Sequence, residues 1–322
     1  MLRRWRLWRR GEYMKNKILI ITSSIDCTVD YLIEKYSSRL DFFRLNVDFL
    51  MKYEVSIGSE SGWCILDKEK NEYIRKDDIF SIYYRKPMFP DLKEYEEAYH
   101  QMIQSDIYAI IAGIVNSFEG KVLSKPYLLR KAENKVDQLI LAKKNNWLIP
   151  RSFIGNKTDS QMDFLQKKSI IKPLTTGKVY NGKVCEIYQT NIFSSPESSI
   201  DITPVYLQEY VEKQYEARIT VINEKFFTVR IDTKDKVDWR KDYENHVYSL
   251  IDCPIDIQLN CLQMLSYYNL KFGAFDFIVT PNNEWVFLEL NPNGQWLWLE
   301  KALNICISKE IINFLEGNEY DN

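Results

Sequence analysis

The feature that most constrains this chain is a pair of apolar runs near its carboxyl end, each with one carboxylate inside it. Ala274-Phe275-Asp276-Phe277-Ile278-Val279 and Val286-Phe287-Leu288-Glu289-Leu290 are rich in β-branched and aromatic residues, and Pro281-Asn282-Asn283 between them supplies turn chemistry. Runs this continuously apolar belong to strands covered on both faces. A carboxylate in such a strand costs several kcal/mol unless it is paired or bound to a metal. With Asn282-Asn283 as a two-residue loop, Pro281 opposes Glu284 and Asp276 falls directly across from Glu289, their Cβ atoms about 5 Å apart. Asn291, two residues beyond Glu289, projects from the same face. Two carboxylates and an amide oxygen at that spacing suit Mg²⁺ held against the phosphates of a nucleotide. The plainer alternative is the solvated face of an ordinary hairpin, and the apolar neighbours argue against it.

Composition narrows the remaining classes. The 322 residues suffice for two or three domains or one composite fold, and 43 Lys+Arg against 45 Asp+Glu leave a formal charge of -2, so no basic field points to nucleic acid. Six cysteines (Cys27, Cys64, Cys185, Cys253, Cys261, Cys306) contain no C-x-x-C pair and fit the reduced thiols of a cytoplasm. With only His100 and His246 present, a His-rich zinc site is impossible and a His-based nucleophile triad has little support. No apolar run approaches a membrane span, which predicts no stable membrane association. Residues 1–13, MLRRWRLWRRGEY, lack the apolar core of a targeting signal and read as a disordered extension, with Met14 beginning the folded part.

From the amino end, an apolar strand over 17–22, a helix over 28–37 and a strand over 42–46 predict a β-α-β unit and hence a parallel sheet. No G-x-G-x-x-G turn accompanies it, which leaves a dinucleotide site unsupported. Two antiparallel strands (53–59, 62–67), a strand over 79–84 ending at Arg85 and a helix over 95–117 follow, and the first unit closes near Ser124-Lys125-Pro126. A helix is expected over 130–146, with Val136, Leu139, Ile140 and Lys143 on one face. Short strands at 150–155 and 169–173 flank a helix over 159–166, and Lys172 at the end of the second either snorkels to water or meets an anion. Turn residues within 174–185 suggest a hairpin; Gly177-Lys178 there is not a Walker A motif. Strands over 205–211, 216–222 and 225–231 lead through an amphipathic helix (254–269) into the organising hairpin, and a helix over 308–315 closes the chain. Glu216, Arg218 and Thr220 alternate with apolar residues and share a face.

This order of elements resembles the ATP-grasp fold: an N-terminal α/β unit followed by two α+β lobes with ATP held between them. The resemblance implies an N-terminal domain over 14–125, a central lobe over 126–211 and a C-terminal lobe over 212–322. A strand Asp followed by Glu-x-Asn is that superfamily's magnesium signature, carried here by Asp276, Glu289 and Asn291. Lys135 and Lys172 match its two nucleotide-contacting lysines in context. Gln208, Glu209, Tyr210 and Val211 match its adenine edge, Glu216 the ribose-holding acid, and Leu288 joins the nucleotide set. Arg218, Arg230 and Arg240 stand where such enzymes keep catalytic cations near the transferred phosphate. More narrowly, LELNPNGQWLWLE together with YYRKP is similar to the graspetide synthetases, the peptide-maturing ligases related to microviridin macrocyclases. Membership implies ATP and Mg²⁺ as cofactors and a precursor peptide with its leader as partner. An Asp or Glu carboxylate of that peptide becomes an acyl phosphate, which a Ser/Thr hydroxyl or Lys amine then attacks. A homodimer falls within the same expectation. The rival readings are a ligase acting on free amino acids or a protein tail, a kinase that stops at phosphorylation, and a nucleotide-binding protein without catalysis.

Overall fold

A computed structural model describes residues 17–60, 62–175, 177–181, 184–187, 190–195, 202–234 and 246–317. The extension at 1–13 and Arg240 lie outside the described residues. The chain divides into two compact units, 1–125 with 313–322, and 126–312.

The first unit begins β1 (Lys17–Thr22), α1 (Cys27–Tyr36), β2 (Phe42–Asn46), and β1 pairs with β2 in parallel, as the apolar-run and helix pattern predicts. Asp26 starts α1 because its side chain accepts from the Thr28 and Val29 amides, satisfying donors the helix cannot reach. An antiparallel sheet of β3 (Tyr53–Gly58), β4 (Gly62–Asp67) and β5 (Glu72–Arg75) is inserted next. The chain then returns through β6 (Ile79–Tyr84), α2 (Glu97–Asn116) and β7 (Lys121–Leu123), giving a parallel sheet in the order β2-β1-β6-β7. Arg85 follows β6 fully buried, 3.7 Å from Asp26, so it serves the interior of this unit.

The second unit opens on α3 (Pro126–Ala132) and α4 (Lys135–Lys144), which replace the single helix expected over 130–146. Asn134 makes the break: its side-chain oxygen accepts from the Val136 and Asp137 amides and caps a new helix. After these come β8 (Ser152–Gly155), α5 (Thr158–Leu165), β9 (Ser169–Lys172), a two-stranded ribbon of β10 (Lys178–Asn181) and β11 (Val184–Ile187), β12 (Asn191–Phe193) and β13 (Val205–Glu209). Four of these form an antiparallel sheet in the order β12-β9-β13-β8, closed by a small core of Phe164, Phe193, Val205 and Leu207.

A five-stranded antiparallel sheet, β16-β15-β14-β17-β18, follows from β14 (Tyr215–Ile222), β15 (Lys225–Asp232), β16 (Val247–Leu250), the helix α6 (Ile255–Tyr267), β17 (Phe272–Val279) and β18 (Trp285–Asn291). Two short helices follow, α7 (Leu297–Leu303) and α8 (Ile307–Glu316). Phe275, Phe277 and Phe287 are buried within this sheet's core, and Trp147 stacks on Phe277 and meets Phe287 edge-on at 4.8 Å.

Candidate nucleotide and metal site

The β17–β18 hairpin delivers the expected pair by an unexpected route. Its loop has three residues, 281–283, not two: the Thr280 amide donates to the Glu284 carbonyl at 3.0 Å, and Asn283 takes a left-handed φ of 62°. A third loop residue in that conformation is a standard way to close a hairpin whose central pair is not glycine-rich. The longer loop alone would shift the partner of Asp276 by one residue. A bulge at Leu288 shifts it back, because Phe277 pairs with Phe287 and Asp276 with Glu289. Bulges re-aim side chains next to functional sites, and here one offset cancels the other. Leu288, implied as a nucleotide contact, is the unpaired half-buried residue of that bulge.

Around this pair the polar groups converge. Asn291 donates from Nδ2 to Asp276 Oδ2 at 2.9 Å and to Glu289 Oε1 at 3.3 Å. Arg218 lies directly across from Asp276 in the β14–β17 ladder and donates from one Nη to both of its carboxylate oxygens, each at 2.7 Å. Both partners are about 5% exposed. The loop after β18 presses on the same arginine: a Cβ at Gly294 would meet Arg218 Nη2 at 2.8 Å and the Ala274 Cβ at 2.6 Å. Only glycine permits that approach. Glu289 forms a close ion pair with the ammonium of Lys135, the first residue of α4.

What holds Lys135 in place is a residue that sequence reasoning passed over. Gln138, one turn further along α4 and 2% exposed, donates to the Leu290 carbonyl and accepts from the Leu290 amide, both at 2.8 Å. Leu290 separates Glu289 from Asn291 on the outer edge of an edge strand. The amide of Gln138 therefore does for β18 what a neighbouring strand would do. The Phe287 amide finds a second such partner in the Leu148 carbonyl at 2.9 Å, and Asp137 accepts from the Tyr268 hydroxyl at 2.9 Å. With Lys135, Asp137, Lys143 and Lys144 in the same helix, nothing in the sequence sets Gln138 apart, because its partner is a backbone 152 residues away.

The other implied nucleotide residues fall on or beside the four-stranded sheet. Lys172 pairs with Tyr206 across β9 and β13 and sits 4.5 Å from the centre of its ring. Burial pushes the Tyr206 hydroxyl well up, the charge of Glu289 adding to the effect. Gln208 is buried and donates to the Tyr206 and Ser152 hydroxyls at 2.7 and 2.9 Å. Glu209 turns instead to Arg151 and Lys167, at 3.1 and 3.2 Å, and the Arg151 hydrogen bond holds its carboxyl below the usual range. The ring of Tyr210 lies under the Lys168 ammonium at 3.5 Å, and Val211 is half-buried. Glu216 shares the face of Arg218 and Asp276 and is ion-paired with Lys213. Arg230 pairs with Ala217, which puts it on the opposite face; it stacks on Tyr215 and donates to Asp232 at 2.7 and 2.8 Å.

Two carboxylates and an amide, flanked by one half-buried and one buried cation, form a donor set able to hold a hard divalent ion and the oxygens of a phosphate. No group of three His, Cys, Asp or Glu side chains that could hold a metal ion occurs among the described residues. Neither a protein-family model nor a curated protein sequence matches the chain. Solved structures do. A RiPP-associated ATP-grasp ligase from Chryseobacterium gregarium, in complex with ADP and a leader and core peptide, is 27% identical over 95% of this chain and 98% of that one, with a TM-score of 0.83. The macrocyclase MdnC from Microcystis aeruginosa, bound with precursor peptide MdnA, is 23% identical over 94% and 100%, with a TM-score of 0.84. The ligase PsnB, complexed with a phosphomimetic precursor variant, Mg and ADP, is 17% identical over 94% and 99%, at 0.75.

Proposed function

Taking the chain as an ATP-grasp protein of the peptide-maturing kind, we propose that it is an ADP-forming ligase acting on a precursor peptide. It phosphorylates Asp or Glu side chains of that peptide and joins them to Ser/Thr hydroxyls or Lys amines. The observation that carries this reading is the convergence of Asp276, Glu289, Asn291, Lys135 and Arg218 on one face of the five-stranded sheet. Relatives of the same fold, aligned over nearly their whole length, were solved with ADP, with Mg and with leader and core peptides. That supports ATP, Mg²⁺ and a precursor peptide here.

In this account Asp276, Glu289 and Asn291 hold Mg²⁺, which when bound neutralises phosphate charge. Lys135 and Lys172 hold the nucleotide's phosphates, the main chain of Gln208 to Val211 follows the adenine while the Glu209 side chain turns away to Arg151 and Lys167, Glu216 takes the ribose, and Leu288 packs beside it. Arg218 offsets the charge that develops as the peptide carboxylate is phosphorylated. Phosphorylation turns a poor leaving oxygen into a good one, and positioning with charge neutralisation is most of what the protein supplies. We assign Arg230 to the support of Tyr215 and Asp232, since its face points away from the site. The division into a domain over 14–125 and lobes over 126–211 and 212–322 belongs to the same proposal, as do a cytoplasmic location and a homodimer.

The peptide's leader has a fitting groove. Val136, Leu139, Ile140, Ile149, Pro150 and Ile154 line an open hollow of about 920 Å³ between α4 and β8. Val136 and Ile140 are 41% and 62% exposed, an unusual outlay of aliphatic surface. Lys143, Lys144 and Arg151 border it, so its charge suits an amphipathic leader segment carrying acidic residues. The test is to incubate the protein with ATP, Mg²⁺ and the peptide of a neighbouring small reading frame rich in Ser/Thr and Asp/Glu. Loss of one water per ring by mass spectrometry, with labelled carboxylate oxygen passing into phosphate, is expected. Phosphate release with no change in the peptide would defeat the reading.

A further inference from the structure

Both proposed metal carboxylates already have cationic partners. Glu289 is ion-paired with Lys135, and both oxygens of Asp276 receive Arg218. The two negative and two positive groups balance. Asn291 also presents the wrong end for a cation, since its Nδ2, a donor, faces the two carboxylates. Holding a divalent ion requires the amide to turn by half a revolution, so that its oxygen faces inward, and the two cations to withdraw.

We propose that Lys135 and Arg218 are built-in counter-ions that close this site to a bare divalent cation, so that the metal enters only with a nucleotide's phosphates. The inference rests on the nucleotide reading above. Removing either cation from its carboxylate without a new partner leaves a poorly solvated charge uncompensated. Phosphate oxygens supply that partner through charge-assisted hydrogen bonds, so nucleotide and metal relieve each other's cost. The two cations differ in freedom. Arg218 is wedged beneath Gly294, whereas Lys135 projects from the first turn of α4 and its side chain is 18% exposed. Lys135 is therefore the cation that moves first, and its phosphate-binding role begins with leaving Glu289.

The experiment is a calorimetric titration of Mn²⁺ into the full chain, with and without ADP, for the wild type, Lys135→Gln and Glu289→Gln. Wild type alone is expected to bind Mn²⁺ at least tenfold more weakly than wild type with ADP. Lys135→Gln alone should bind at least tenfold more tightly than wild type alone, and its gain from ADP should shrink. If Lys135→Gln alone matches wild type alone, while ADP promotes Mn²⁺ binding in wild type and not in Glu289→Gln, the counter-ion proposal is overturned and the nucleotide site stands. If wild type with ADP takes up no Mn²⁺, or Glu289→Gln with ADP takes it up as wild type does, the site assignment falls and the proposal with it.

Discussion

The five-stranded sheet and the four-stranded sheet treat their polar residues differently. On β14, β17 and β18, Arg218, Asp276 and Glu289 are set among apolar neighbours and solve their burial by meeting one another. On β13, Glu209 belongs to the adenine edge in the resemblance, and its side chain turns outward to Arg151 and Lys167. A charge inside a doubly covered strand has few escapes from its neighbours, so its sequence context reveals its partners. A charge at the exposed end of a short strand is satisfied locally, and its context reveals little.

Substitutions sharpen that contrast. Arg218→Met leaves Asp276 buried and uncompensated, and a loss of about 3–5 kcal/mol is expected in denaturant unfolding. A change below about 1 kcal/mol would mean that the pair is hydrated and the burial argument is wrong. Gln138→Leu strips both hydrogen bonds from the Leu290 backbone, at about 1–3 kcal/mol for each buried group left unsatisfied. It should also loosen the Lys135 end of α4, raising KM for ATP; an unchanged KM would reduce Gln138 to a structural role. Glu209→Gln removes only exposed ion pairs, so stability should move by less than about 1 kcal/mol. A larger loss there would erase the distinction between the two sheets.

The contrast also marks what was legible in the sequence. The parallel β-α-β start, the antiparallel strands after it and the pairing of Asp276 with Glu289 follow from apolar runs and turn residues. The route to that pairing did not, because a three-residue loop and a bulge cancel and a pattern of period two cannot separate the two cases. The division of the expected 130–146 helix depended on Asn134 using its side chain as a cap, a choice that competes with helix continuation on nearly equal terms. Gln138 was invisible because its partner lies 152 residues away, and the backbone of Leu290 advertises nothing in its side chain. Gly294 stood within a motif that carried the resemblance, but its physical reason, a backbone pressed against Arg218, needs coordinates.

The central claim is that the hairpin carboxylates, and not those of the four-stranded sheet, hold the metal that neutralises the reacting phosphates. Its most direct test is ATP-dependent hydroxamate formation, in which hydroxylamine intercepts an activated peptide carboxylate. Wild type and Glu209→Gln should agree within about twofold, and Glu289→Gln should fall by about 10²-fold or more while keeping its fold. Glu289→Gln forming hydroxamate at the wild-type rate would contradict the account.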